Sequence, residues 1–235
     1  MIKTIAFDAD DTLWQNETLY QDAQAQLSQI LSPWKPAGQV KRLLTKTEMR
    51  NLPVYGYGIK AFTLSMIETA LEVTQGKIGS SMVWQILTLG RSMLAADVKL
   101  HPHVEETLQT LSRNHRLLVI TKGDLLDQTN KLTRSGLEHF FSLVEVLNQK
   151  TPETYREILE KHSLDIRTFL MVGNSLRSDI APVLALGAQA VHIPSSTTWE
   201  PERLDDFDTS QEGFYEIETL SQLPSLIEKI NSASR

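Results

Sequence analysis

Two periodicities divide the chain. Thr4-Ile5-Ala6-Phe7 is a continuous apolar and β-branched run that reads as a short buried strand. After Leu13 that pattern stops, and apolar residues recur at helical spacing as far as about Asp97. Leu19, Ala23, Leu27, Ile30 and Leu31 share one face of a helix expected over residues 17–31, which Ser32-Pro33 ends. Further helices are expected over 40–49, 59–73 and 81–96, the last with Gly90 as an internal weak point. Between the second and third, Asn51-Leu52-Pro53-Val54-Tyr55-Gly56-Tyr57-Gly58 reads as a loop punctuated by proline and glycine.

From His101-Pro102 onward, short apolar runs alternate with amphipathic segments. The expected order is helix 104–113, strand 117–120, helix 126–134 closed by Gly136, and strand 143–146. A helix opened by Thr151-Pro152-Glu153 runs to about 162, followed by strand 169–172, helix 179–186 stopped by Gly187, strand 190–193, and a last strand and helix within 214–230. Strand–helix units with uninterrupted apolar strands call for a parallel sheet covered on both faces, so the fold class is α/β, doubly wound. The helical stretch interrupts this pattern directly after the first strand. It therefore reads as an inserted all-helical cap domain over 15–97, and the core comprises 1–14 and 98–235.

Composition narrows the partners. Of 235 residues, 22% are charged and the formal net charge is -6, which lacks the basic footprint of a nucleic-acid binder. The chain has no cysteine, so disulfides and thiolate metal sites are excluded. It opens into strand-like sequence without a basic start and apolar signal segment, and no stretch reaches the length of a membrane span; a cytoplasmic location is the expectation.

In open parallel sheets ligands bind beyond the carboxyl ends of the strands, and those ends carry the candidate chemistry. The first gives Asp8, Asp10 and Asp11, three carboxylates that are costly to gather unless a cation binds there or a helix start uses them. The second gives Thr121-Lys122, Lys150 follows the third, and the fourth gives Gly173-Asn174-Ser175-Leu176-Arg177-Ser178-Asp179. Thr121, Lys150 and Asp179 recur at an equal spacing, close to the roughly 30-residue βαβ period. A carboxylate can attack phosphorus, a second can act as acid and base, and a hydroxyl and an ammonium can neutralise the transferring oxygens. Lys122 and Arg177 could meet phosphate or pair with nearby acids. His101-Pro102-His103 lacks a third ligand for zinc, and Asp205-Asp206-Phe207-Asp208 has Gln211 where a calcium loop needs glycine.

These four motifs, each after an apolar strand, resemble those of the haloacid dehalogenase-like (HAD) hydrolase superfamily, whose Rossmann-like core carries such an inserted cap. The resemblance implies a Mg²⁺-dependent phosphatase for a small phosphorylated metabolite, working through an aspartyl phosphate. Asp8 would be the nucleophile and Asp10 the general acid and base. Thr121, Lys122 and Lys150 would bind phosphate, and Asp8, Asp10, Asn174 and Asp179 would hold the metal. The family's fourth motif commonly has an acid where this chain has Asn174. Cap residues Tyr55, Tyr57 and Lys60 are expected to set substrate specificity. A phosphomutase uses the same core; a dehalogenase would need neither Asp10 nor a metal; a non-catalytic protein retaining the fold is the alternative from a different class.

Overall fold

The computed structural model describes residues 1–195, 197 and 199–233. Six strands, β1 (Thr4–Phe7), β2 (Arg116–Lys122), β3 (Leu143–Leu147), β4 (Phe169–Gly173), β5 (Gln189–His192) and β6 (Phe214–Glu216), lie parallel in one sheet ordered β3-β2-β1-β4-β5-β6. The helices in chain order are α1 (Glu17–Ile30), α2 (Ala37–Tyr55), α3 (Ile59–Val73), α4 (Ser80–Ala95), α5 (Val104–Leu111), α6 (Leu125–Ser135), α7 (Pro152–Lys161), α8 (Ala181–Leu184) and α9 (Leu223–Ala233). None of the described helices is long and apolar enough to cross a membrane.

The chain forms two compact units. One contains Met1–Glu17, Val98–Lys122 and the chain from Lys131 onward; the other contains Thr18–Asp97 and Gly123–Asn130. The sheet lies in the first. Alternate strand residues feed two separate cores there. Ile5, Phe7, Leu117, Val119, Leu170 and Val172 pack with residues of α5 and α9 on one face. Ala6, Leu118, Ile120, Phe169 and Met171 pack with Tyr155, Ile158 and Leu159 of α7 and with Val183 on the other. All four residues of β1 are buried because both faces of the strand are covered. Full burial of a side chain such as Ile5 or Phe7 contributes about 1.5–3 kcal/mol.

β1 is hydrogen-bonded to β2 on one side and β4 on the other, with Phe7 level with Val119 and Val172. The order of the strands reverses about β1, and this is where open α/β sheets bind ligands. Asp8 is the first residue beyond that strand, and its N–H continues the ladder by donating to the Val172 carbonyl at 2.9 Å.

In the helical unit, Leu27, Leu31, Leu44, Ile59, Met66 and Ile86 form the centre of a third core. Helix α2 runs on through Pro53 to Tyr55, well past the expected end at 49. The proline lies in the last turn, and Met49, whose carbonyl loses its i+4 donor, is an exposed residue, so the break costs little. Asn51 is buried and donates to the Ser65 hydroxyl at 3.1 Å, tying this turn to α3. Gly90 is a close-packing position: a Cβ there would stand 2.2 Å from Thr63 Oγ1, so its lack of a side chain is what lets α3 and α4 approach.

Candidate active site

Three carboxylates follow β1 and take three different roles. Asp11 has a left-handed backbone (φ 60°), and its carboxylate accepts from the backbone N–H groups of Asn16 and Glu17 at 2.9–3.1 Å. It closes the turn that leads into α1 and satisfies donors at that helix's start. Burial pushes its pKa up to about 6, against those hydrogen bonds.

Asp8 is buried at the end of β1. Its Oδ1 accepts from Lys150 Nζ at 2.5 Å, and its Oδ2 lies 3.2 Å from the Thr12 hydroxyl. Lys150 is fully buried and also donates to Asp179 Oδ1 at 2.6 Å. Two carboxylates therefore share one ammonium. Burial pushes the Asp8 carboxyl up to about 7; Lys150 pulls it down, and the charges of Asp179 and Asp10 reinforce the rise. For Lys150, burial disfavours the charged form, but Asp179 and Asp8 prevail and raise its pKa, so it remains an ammonium.

Asp179 is positioned by the glycine that ends β4. After Gly173 the chain makes a π-helical turn, Leu176–Ile180, that folds Asp179 back so that its Oδ2 accepts from the Ser175 N–H at 3.0 Å. The carboxylate fills the space a side chain at position 173 would need, since a Cβ there would stand 2.3 Å from Asp179 Oδ2. Asn174 presents its Oδ1 3.2 Å from the same Thr12 hydroxyl that meets Asp8. Its backbone carbonyl is within hydrogen-bond distance of His192 Nε2 at 3.1 Å, and the other ring nitrogen of His192 meets Glu216 at 2.8 Å.

Asp10 has a different set of partners. Its Oδ1 accepts from the Trp14 indole at 2.7 Å, and Lys131 Nζ stands 3.0 and 3.1 Å from its two oxygens. Thr121 is buried at the end of β2. Lys122 is engaged with an acid: its Nζ donates to Glu202 Oε1 at 2.5 Å and to the Ser178 hydroxyl at 2.8 Å. Ser175 and Ser178 also donate to Glu202 Oε2. Burial raises the Glu202 carboxyl, but Lys122 and the two hydroxyls outweigh it and hold the group below the usual range. Arg177 donates to the backbone carbonyl of Arg203 at 3.4 Å.

The structure thus gathers Asp8, Lys150, Asn174 and Asp179 directly. Tyr55 and Lys60 are engaged within the helical unit, with Glu68 at 3.3 Å and Asp124 at 2.8 Å respectively. Lys131, Trp14 and Glu202 are the polar participants that sequence reasoning missed. Lys131 shares a sequence stretch with Asp127 and Gln128, and all three are buried. Polar residues at helical spacing give the same signal on a solvent-facing surface, so the pattern alone does not reveal it.

A hard divalent cation fits the donor set. Asp8, Asn174 and Asp179 offer oxygens only, and the Thr12 hydroxyl has one proton for two acceptors at 3.2 Å. Two carboxylates against one ammonium leave a negative charge uncompensated. Among the described residues, no group of three or more His, Cys, Asp or Glu could hold a metal by itself. Magnesium needs no such cage, because it binds through one or two carboxylates and completes its shell with water and substrate phosphate.

Comparison with known proteins bears on the family and the fold. The family model for haloacid dehalogenase-like hydrolase matches residues 2–187. The chain is similar to glyceraldehyde 3-phosphate phosphatase of Methanothermobacter thermautotrophicus, at 26% identity over 97% of this chain and 100% of that one. It is also similar to N-acylneuraminate-9-phosphatase of Rattus norvegicus, at 21% identity over 98% of this chain and 95% of that one. Among solved structures, a haloacid dehalogenase-like family hydrolase from Xanthomonas campestris superposes with a TM-score of 0.88 at 35% identity, covering 99% of this chain and 93% of that one.

Proposed function

Because the chain belongs to the haloacid dehalogenase-like hydrolase family, we propose that it hydrolyses the phosphate monoester of a small metabolite, with Asp8 as nucleophile and Asp10 as general acid and base. One observation carries the reading: a buried carboxylate at the end of the central strand, paired at 2.5 Å with a fully buried ammonium and followed two residues later by a second carboxylate. Relatives named as phosphatases support it along the whole chain.

In the first step an Asp8 oxygen attacks phosphorus and the bond to the ester oxygen breaks, while Asp10 gives that leaving oxygen a proton. In the second, Asp10 takes a proton from water, the water oxygen attacks the aspartyl phosphate, and Asp8 and inorganic phosphate are released. Lys150 and the Thr121 hydroxyl lie at the strand ends where they can neutralise the transferring oxygens. The Lys122 charge is already offset by Glu202, so its part is to hold the loops after β2 and β4 together. Asp8, the Asp10 backbone carbonyl, Asn174 and Asp179 would hold a magnesium ion. When bound, that ion supplies positive charge against the crowded phosphoryl oxygens.

The test is a phosphate-release screen over sugar phosphates, nucleotides, phosphoglycolate and an aryl phosphate, with magnesium or chelator, beside Asp8→Asn. Release that depends on magnesium and is abolished in the variant supports the reading. Near-normal turnover by Asp8→Asn would overturn it.

A further inference from the structure

We propose that Lys131 is a positioning residue for Asp10, holding the acid's carboxylate in the orientation from which it serves the leaving group. The proposal deepens the phosphatase reading and rests on it. Lys131 projects from α6, is 5% exposed, and donates to both oxygens of Asp10 at 3.0 and 3.1 Å and to the Asn16 Oδ1 at 2.9 Å. A buried ammonium is costly unless paired, so the placement of Lys131 is bound to that of Asp10. The Trp14 indole meets Asp10 Oδ1 at 2.7 Å. Trp14 is itself 1% exposed, and its neighbours fix the backbone: Leu13 accepts from the His101 N–H and Gln15 donates to Lys99, both at 2.9 Å.

The Asp10 carboxylate is therefore oriented by an indole whose place is set by the fold and by an ammonium reaching in from α6. This matters because a general acid works only within hydrogen-bond reach of the oxygen it protonates, and small misplacements are expensive in rate. Nothing in the motifs after the strand ends requires a lysine on this helix. A merely structural lysine would support the fold and slow all substrates together. A positioning lysine would slow those whose leaving group needs the proton.

The experiment compares an alkyl phosphate with p-nitrophenyl phosphate in wild type, Lys131→Met, Lys131→Arg, Asp10→Asn and the double variant Asp10→Asn/Lys131→Met. The expected result is a kcat/KM loss for Lys131→Met, the quantity that reports release of the alcohol and not the later hydrolysis common to both substrates, of about tenfold to a hundredfold on the alkyl phosphate, exceeding the loss on the aryl phosphate by at least tenfold. Lys131→Arg should recover part of it, and the double variant should be no slower on the alkyl phosphate than Asp10→Asn alone. Equal losses on both substrates, or losses that multiply in the double variant, would overturn the proposal. If Lys131→Met does not fold, Trp14→Phe removes the indole donor to Asp10 and should show the same selectivity at smaller amplitude; its absence is equally fatal. Failure of the underlying reading looks different: Asp10→Asn itself would then show no preference between leaving groups.

Discussion

Asp8→Asn removes one of two carboxylates that share a single buried ammonium, so it should raise stability while ending turnover. The wild-type carboxyl titrates near 7 in the folded protein against an ordinary 3.8, chiefly because burial penalises the charged form. At 1.36 kcal/mol per pH unit, that separation sets a ceiling of about 4 kcal/mol on the cost of keeping Asp8 ionised. Part of the cost is shared with Asp179 and relieved by local relaxation, so about 2 kcal/mol is the working expectation, or roughly 4–8 °C in Tm for a chain of this size. The sign follows from proton linkage. A folded-state pKa raised above the unfolded value means that the native state binds the extra proton between the two, so wild type loses stability as pH rises from 3.8 towards 7. The gap between variant and wild type should be complete above pH 7 and less than half as large at pH 5. Thermal unfolding in chelator at both pH values measures it, and magnesium should then narrow it at pH 8 by stabilising wild type. A variant less stable than wild type at pH 8, or a gap that does not shrink at pH 5, would refute the picture of an overcharged pocket.

Gly173→Ala should cost about 1–3 kcal/mol and impair turnover, since its Cβ would meet the Asp179 carboxylate at 2.3 Å and the π-turn would have to shift; chemical denaturation beside a phosphate-release assay checks both effects. Glu202→Gln should cost roughly 2 kcal/mol, less than the 3–5 of a fully buried broken pair, because Lys122 keeps the Ser178 hydroxyl. Its folded-state pKa is depressed, so the cost should be fully present above pH 4.5 and fade as pH falls through the folded value, which urea midpoints over pH 3.5–7 would follow. Asn174→Asp should tighten magnesium binding to the free protein in calorimetry, and an unchanged affinity would mean that the side chain lies beyond the ion's reach.

The fold was legible because its signal is local and repeated. Buried strands such as 117–120 and 169–172 read as uninterrupted apolar runs, and the glycines at 136 and 187, both at positive φ, marked helix ends. Helix α2 was cut short because proline and two glycines within eight positions outweigh helical spacing in a local reading. The buried Asn51 has a distant partner, Ser65, that anchors the turn containing Pro53, and the helix ends at Tyr55, just before the first of those glycines. Gly90 likewise has a role that a local reading does not show: a glycine that weakens an isolated helix is here the contact that lets Thr63 approach.

The candidate site divides along the same physical line. Asp8, Lys150 and Asp179, which the structure brings together, were open to a sequence reading because each follows a strand end, where a polar residue after an apolar run stands out. Lys131 and Glu202 could not be read, because they reach the site from a helix and from a loop where charged residues are unremarkable. Their roles come from pairing across 121 positions in one case and 80 in the other. Asp8, Lys150 and Asp179 form a group that is short of positive charge; the illegible residues each neutralise or orient a neighbour, Lys131 at Asp10 and Glu202 at Lys122. With those two charges already matched, the uncompensated charge of the pocket lies between Asp8 and Asp179. A bound cation and the oxygens of a phosphoryl group would have to be accommodated at that point, which is why the stability of Asp8→Asn and the metal affinity of Asn174→Asp probe the same imbalance from opposite sides.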